Sequence, residues 1–184
     1  MQWILVLILA VAAVAFFISF NRLVRMRQLV RNAWSDVDVY LKRRAELIPN
    51  LVAAVKGYTQ HEQSTLETTI AARDQALGAG SLSTRAEAER QVGGGLSRVM
   101  LLAESYPELK ASQNFLELQR SLSETEKLIA SARQYYNACV RDYNTLIEAF
   151  PSNIPAGLFQ FKPAEFFELE DVVERDTPRL EGLS

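Results

Sequence analysis

Residues 3–20 read WILVLILAVAAVAFFISF, with 17 apolar side chains in 18 positions and no charge. No other stretch limits the possible folds of this chain so strongly. In hydrocarbon every backbone amide and carbonyl must be satisfied within the protein, so a spanning segment is a helix or part of a closed barrel. Eighteen residues at a rise of ~1.5 Å cover roughly 27 Å, close to the ~30 Å hydrocarbon core of a bilayer. The competing reading is a cleaved secretory signal, which wants a positive n-region. Only Met1 and Gln2 precede the run, and its small triplet Ala13-Val14-Ala15 is followed by Phe16, Phe17 and Ile18. The stretch therefore reads as a retained anchor over residues 1–20, with Trp3, Phe16, Phe17 and Phe20 as its lipid-facing aromatics.

Arg22, Arg25, Arg27 and Arg31 follow at once, and nothing acidic appears before Asp36. Basic residues beside a span favour the cytoplasmic side and also attract anionic headgroups. The expectation is a single-pass protein of the bacterial inner membrane, N-terminus outside and residues 21–184 cytoplasmic. All 20 Lys and Arg and all 22 Asp and Glu lie beyond residue 20, for a net charge of −2. Residues 21–44 carry seven Lys or Arg against two Asp, whereas Glu165 to Ser184 has seven acidic residues against two basic. That polarity suits anionic lipid at one end, or head-to-tail contact between subunits, and gives nucleic-acid binding little support.

The rest reads as helix. An apolar stripe runs through Leu23, Met26, Val30, Ala33, Val37, Tyr40, Leu47, Leu51, Ala54 and Tyr58, broken only by Arg44. Pro49 should kink this segment or begin a new one, because it lacks an amide; helicity then continues to about Leu77, where Gly78-Ala79-Gly80-Ser81 stops it. A second segment starts near Ser83 or Thr84, carries Val92, Leu96, Val99, Ala103 and Tyr106, and ends at Pro107. Gly93-Gly94-Gly95 in its middle predicts a break, a distortion or a close helix approach, since each Gly costs a helix ~1 kcal/mol relative to Ala. The third segment, Ser112 to Phe150, places Phe115, Leu118, Leu122, Thr125, Ile129, Ala132, Tyr136, Cys139, Tyr143, Leu146 and Phe150 at strict 3-4-3-4 spacing. A 3.5-residue period implies supercoiled packing against partner helices. The expected fold is all-α: a transmembrane helix continuing into an elongated antiparallel bundle of long heptad-patterned helices, over residues 21–168. Ile154 to Phe161 reads as an apolar loop, Pro163 to Glu168 as a short helix, and 169–184 as a mobile acidic tail.

Ala33 to Glu62, AWSDVDVYLKRRAELIPNLVAAVKGYTQHE, resembles the most recognisable stretch of the LemA family of bacterial membrane proteins. Ala103-Glu-Ser-Tyr-Pro107, Asn114-Phe-Leu-Glu-Leu-Gln119, Leu122-Ser-Glu-Thr-Glu126 and Tyr136-Asn137 continue the likeness. So do Arg141-Asp-Tyr-Asn144, Phe150-Pro-Ser-Asn153, Gly157-Leu-Phe159 and Phe166-Phe167. The resemblance covers roughly residues 19–168. It departs at Gly93–Gly95, at Ala138-Cys139 and in the acidic tail. It implies an N-terminal anchor with the N-terminus out and a cytoplasmic helical bundle; it implies no established catalytic residues and no settled role.

One Cys and one His exclude intrachain disulfides and Cys/His zinc clusters. His61-Glu62 would need a second His at position 65 to form a metalloprotease helix, and that residue is Thr65. A phosphate relay through His61, or a sensory bundle, is the alternative to an interaction protein. Cys139 falls on the heptad seam, where a free Cys behaves as a small hydrophobe. Asp36, Asp38, Lys42, Arg43, Arg44 and Glu46 form a dense polar face. Arg44 interrupts an apolar stripe, which predicts a buried ionic contact; Glu124, Glu126, Arg141 and Asp142 of the third helix are the partners considered. Trp34 reads as bundle packing, whereas Phe159, Phe161, Phe166 and Phe167 either cap the bundle or touch a partner chain or the bilayer. No cofactor or metal is expected. The function predicted is a non-enzymatic, membrane-anchored scaffold that self-assembles or binds other membrane proteins.

Overall fold

The computed structural model describes residues 1–58 and 62–169. His61, and all but the first residue of the acidic tail, lie outside the described residues. Six helices are found among the described residues, and no strand: α1 (Gln2–Lys56), α2 (Gln63–Gly78), α3 (Leu82–Glu104), α4 (Pro107–Lys110), α5 (Gln113–Glu148) and α6 (Asn153–Leu158). The all-α class expected from the periodicity is the one observed. The helices form two compact units. One joins Met1–Arg43 to Glu124–Phe166, and the other joins Arg44–Ser123 to the chain from Phe167.

In the first unit, α1 and α5 run antiparallel. Trp34 meets Tyr136, Arg27 and Arg31 act on Tyr143, and Phe20 meets Phe161, so positions descend along one helix as they rise beyond it. The apolar stripes predicted on both are the faces that bury: Leu23, Val30, Ala33 and Val37 on α1, Ile129, Tyr136, Cys139 and Tyr143 on α5. Burying each aliphatic side chain contributes ~1.5–3 kcal/mol. Phe150, the last seam position, departs from the pattern and stays 80% exposed, because α5 ends at Glu148 before its turn is completed.

The second unit is a core of Ile48, Leu51 and Val55 from α1, Leu66 and Ala76 from α2, Val92, Leu96 and Val99 from α3, Leu109 from α4 and Phe115 and Leu122 from α5. Here α1 passes Pro49 without interruption. Proline cannot donate to the carbonyl four residues back, and that carbonyl belongs to Ala45. Arg73 of α2 supplies the missing donor, with Nε 3.0 Å from the Ala45 oxygen, while its Nη1 holds Asp74 at 2.6 Å. The orphan left by proline is thus satisfied from a neighbouring helix. The helical run expected to reach Leu77 is instead interrupted after Lys56, where Tyr58 closes a turn on Val55, and restarts at Gln63.

Ser81 caps α3 with a capping box: its hydroxyl accepts from the Thr84 amide, and the Thr84 hydroxyl accepts from the Ser81 amide. This fixes the start at Leu82, one or two residues earlier than the Ser83 or Thr84 expected. The three glycines do not break α3. A Cβ on Gly93 or Gly94 would meet open space, whereas one on Gly95 would lie 2.9 Å from Thr69 Oγ1 and 3.3 Å from Thr69 Cα. Of the alternatives posed by the sequence, the close helix approach is realised, at Gly95 alone.

Past α5 two expectations change places. Asn153–Leu158, read as a loop, forms helix α6, and residues 161–169, where a short helix was expected, are not helical. The reason lies in side-chain to backbone bonds. Asn144 accepts from the Ala164 amide and donates to the Ala164 carbonyl, both at 2.9 Å, as a neighbouring strand would. Tyr136 donates its hydroxyl to the Glu165 carbonyl at 2.8 Å. With these backbone groups held by α5, the segment stays non-helical. Ser152, 4% exposed, donates its hydroxyl to the carbonyl of Leu146, one of the orphans a helix end leaves, and to that of Ala149, which also accepts from the Asn153 amide.

Candidate functional site

Two clusters stand out, one in each unit. In the first unit α1 carries Phe16 and Phe20 one turn apart, and Phe159 packs on both, with centroids at 6.4 and 4.7 Å. Phe161 lies edge-on to Phe20 at 6.0 Å, and the guanidinium of Arg27 sits 4.8 Å from the centre of the Phe161 ring. A cation over an aromatic face is attracted by the ring quadrupole, by ~0.5–1 kcal/mol where exposed. The end of the apolar run, the first arginines and the segment after α6 thus form one collar. A groove of about 470 Å³ beside it is lined by Ile18, Ser19, Arg22 and Met26 from α1 and by Asp142, Leu146, Phe150 and Ser152 from the other side.

Trp3 and Phe17 are exposed at 86% and 64%, Phe16 and Phe20 are half-buried, and Arg22, Arg25, Arg27 and Arg31 are exposed. Trp34 packs edge-on to Tyr136 at 5.5 Å, and Asp36 and Arg43 are exposed. The four C-terminal phenylalanines divide: Phe161 and Phe167 are buried, Phe159 and Phe166 are about half exposed. Burial raises the Tyr136 hydroxyl above the usual tyrosine range, with the Glu165 carboxylate adding to the effect. Burial also raises Tyr143, against the opposing charges of Arg27 and Arg31. Cys139 is buried, and the Tyr135 hydroxyl is raised first by its hydrogen bond to that thiol.

In the second unit the break at Arg44 is explained. Its guanidinium pairs with Glu89 of α3, and Arg85 Nε holds the other Glu89 oxygen at 2.8 Å. The three side chains are 4%, 3% and 9% exposed in the order Arg44, Glu89, Arg85. The buried ionic contact expected is present, and its acidic member comes from α3, a helix the sequence reading did not consider as the source. Guanidinium groups stay protonated at any ordinary pH, so Arg44 and Arg85 act as fixed positive charges holding the Glu89 carboxyl. Glu89, Arg85, Arg73 and Asn144 were all missed from sequence. A signal for two of them existed: Arg85 and Glu89 fall in phase with Val92, Leu96, Val99 and Ala103 at 4-3-4-3-4 spacing.

A groove of about 490 Å³ in this unit has Val52, Leu66 and Ile70 as its apolar part, with Lys56, Glu67 and Asp74 around them. Among the described residues, no cluster of three His, Cys, Asp or Glu could hold a metal ion.

These features define an all-helical protein with one N-terminal helix long and apolar enough to cross a membrane; its most apolar 18-residue window has a mean hydropathy of 2.9 and is only 6% buried. A core helix of a soluble protein would be mostly covered. The chain belongs to the LemA family, whose sequence model matches residues 33–181 and so begins beyond the apolar run and extends into the acidic end. Magnetosome protein MamQ 2 of Paramagnetospirillum magneticum is 28% identical over 193 residues, covering 88% of this chain and 71% of that protein. Magnetosome protein MamQ of Magnetospirillum gryphiswaldense is 25% identical, with 89% and 71% covered, and protein LemA of Metamycoplasma hominis is 25% identical, with 87% and 74% covered.

Proposed function

We propose that this protein is a membrane-anchored, non-enzymatic helical scaffold of the bacterial inner membrane that assembles with itself or with other membrane proteins. The observation that carries the reading is the exposed apolar window of α1 running directly into four exposed arginines. An uncovered apolar surface of that length is stable only in lipid, and arginines at its end favour the cytoplasmic side. The N-terminus is then outside and residues 21–184 are cytoplasmic.

The heptad seam gives assembly less support than its length suggested, since most of its residues are buried within the chain. Contacts with a second copy or a partner would fall on other faces. Tyr135 and Leu128, one heptad apart on α5, and Val39 on α1 are exposed at 51%, 36% and 57%. Tyr135 is the aromatic among them, and tyrosine is enriched where proteins meet. Light scattering on the full-length protein in detergent tests assembly: a mass above that of one chain is expected. A strict monomer at high concentration, with no co-purifying protein, overturns it. Cysteine labelling from either side of sealed vesicles, at a position such as Glu124, tests orientation.

A further inference from the structure

Between Glu148 and Lys162 the chain carries no charge over 13 residues, although 23% of the whole sequence is charged. A solvated hairpin end of that length would hold about three charges at the chain's own frequency. Its apolar side chains are not hidden either. Phe150 is 80% exposed, Ile154 54%, Leu158 70% and Phe159 53%. Ile154 and Leu158 are four residues apart on α6 and so share a face, while Pro155 and Ala156 on the opposite side are buried. An apolar ridge of this kind on one short helix marks an interaction surface.

The position of the ridge indicates what covers it. Phe159 packs on Phe16 and Phe20, the last turns of the apolar run. Phe150 lines one groove with Ile18, Ser19 and Arg22. From Trp3 to Phe20 the helix rises roughly 26 Å at ~1.5 Å per residue, nearly the thickness of the hydrocarbon core. Residues 16–20 therefore stand where hydrocarbon gives way to headgroups, and the ridge stands beside them. Arg27 over Phe161, together with Arg22 and Arg25, supplies the positive charge that belongs at that level.

We propose that α6 and its flanking phenylalanines are a second membrane contact, lying in the interfacial layer of the leaflet from which the anchor emerges, with Phe150, Ile154, Leu158 and Phe159 turned to lipid. The ridge is continuous with the lipid-facing surface of the anchor, which selects lipid over a partner protein as its occupant. Two apolar elements in one leaflet would fix the tilt and rotation of the body above the membrane, which a single helix leaves free.

The proposal rests on α1 spanning the bilayer, and its test separates the two. Cys139 is the one native thiol and is buried. In a Cys139→Ser background, nitroxide labels are placed singly at Leu158→Cys, Ile154→Cys, Phe17→Cys and Glu124→Cys in the full-length protein, in nanodiscs of phosphatidylcholine and phosphatidylglycerol. Collision rates with oxygen, which partitions into lipid, and with a water-soluble nickel chelate are then measured. The expected oxygen-to-nickel ratio at 154 and 158 is severalfold above that at the exposed Glu124 position and approaches that at 17. A ratio at 154 and 158 equal to that at 124, with 17 lipid-like, overturns the contact and leaves the anchor standing. Low collision with both reagents at 158 means protein covers the ridge, which also overturns it. An aqueous ratio at 17 sinks the anchor and this proposal with it.

Discussion

In the unit built around α2 and α3, the buried charged groups meet one another: Arg44, Glu89 and Arg85. In the unit built from the first part of α1 and the later part of α5, no buried side chain among the described residues is charged, and neutral groups hold backbone: Tyr136 on Glu165, Asn144 on Ala164, Ser152 on Leu146 and Ala149. The difference follows from what each unit has to bury. Continuous helices satisfy most of their own amides, so a charged side chain buried between them finds its partner in an opposite charge. A non-helical segment does not satisfy its own amides, and side chains of the adjoining helix do it instead. A charged lock is costly to desolvate and costly to break, whereas neutral clamps are individually modest.

The comparison fails if the charged lock is dispensable. Glu89→Ala leaves two guanidinium groups buried without their carboxylate, and a loss of about 3–5 kcal/mol is expected on the scale of broken buried ion pairs. Urea unfolding of the full chain in detergent measures it. Replacing all three together, with Arg44→Met, Arg85→Leu and Glu89→Met, should recover most of the loss or exceed wild-type stability. Equal damage by the single and triple changes would show that packing, and not charge, governs the site.

A second test concerns how closely α2 and α3 approach. Gly95→Ala pushes a methyl into Thr69, itself fully buried, and overpacking of this kind costs about 1–3 kcal/mol. Gly94→Ala meets nothing within 4 Å and should gain up to ~1 kcal/mol from the better helix former. Opposite signs at adjacent glycines are the expected result, read as opposite shifts in denaturation midpoint.

The neutral clamps predict something local. Asn144→Ala removes two hydrogen bonds to Ala164, each worth ~0.5–1.5 kcal/mol net. Hydrogen exchange should quicken about tenfold or more over residues 162–166, with little change in the core amides of α3. A uniform rise across both units would mean that Asn144 supports global stability and not the segment alone.

How much of this was legible depends on range. The seam on α5 and the stripe on α1 repeat within a helix, so periodicity exposed them, and Arg44 announced its burial by standing in phase with leucines and valines. Glu89 and Arg85 carry the same signal in α3, in phase with Val92, Leu96, Val99 and Ala103, but the triple glycine interrupts the apolar pattern there. Asn144 gave none. An asparagine that pairs with backbone twenty residues away looks like any asparagine on a helix, since its partner is a peptide group that every residue has. The exchange of helix and non-helical chain between 154–158 and 161–169 had the same origin: local propensity favoured helix after Pro163, and bonds from α5 overrode it.

Arg73 stands between the two kinds of polar interaction, a charged group used on backbone, and a double-mutant cycle with Pro49 sharpens its place. Arg73→Met should cost about 1 kcal/mol, the usual net worth of one hydrogen bond, because the Ala45 carbonyl then has no donor. In a Pro49→Ala background residue 49 regains its amide and can donate to Ala45 itself. The same Arg73→Met change should then cost close to nothing, a coupling of similar size to the single loss. If Arg73→Met costs the same in both backgrounds, its contact with Asp74 or its packing explains the effect, and the passage of α1 through Pro49 must be sustained by the surrounding core alone.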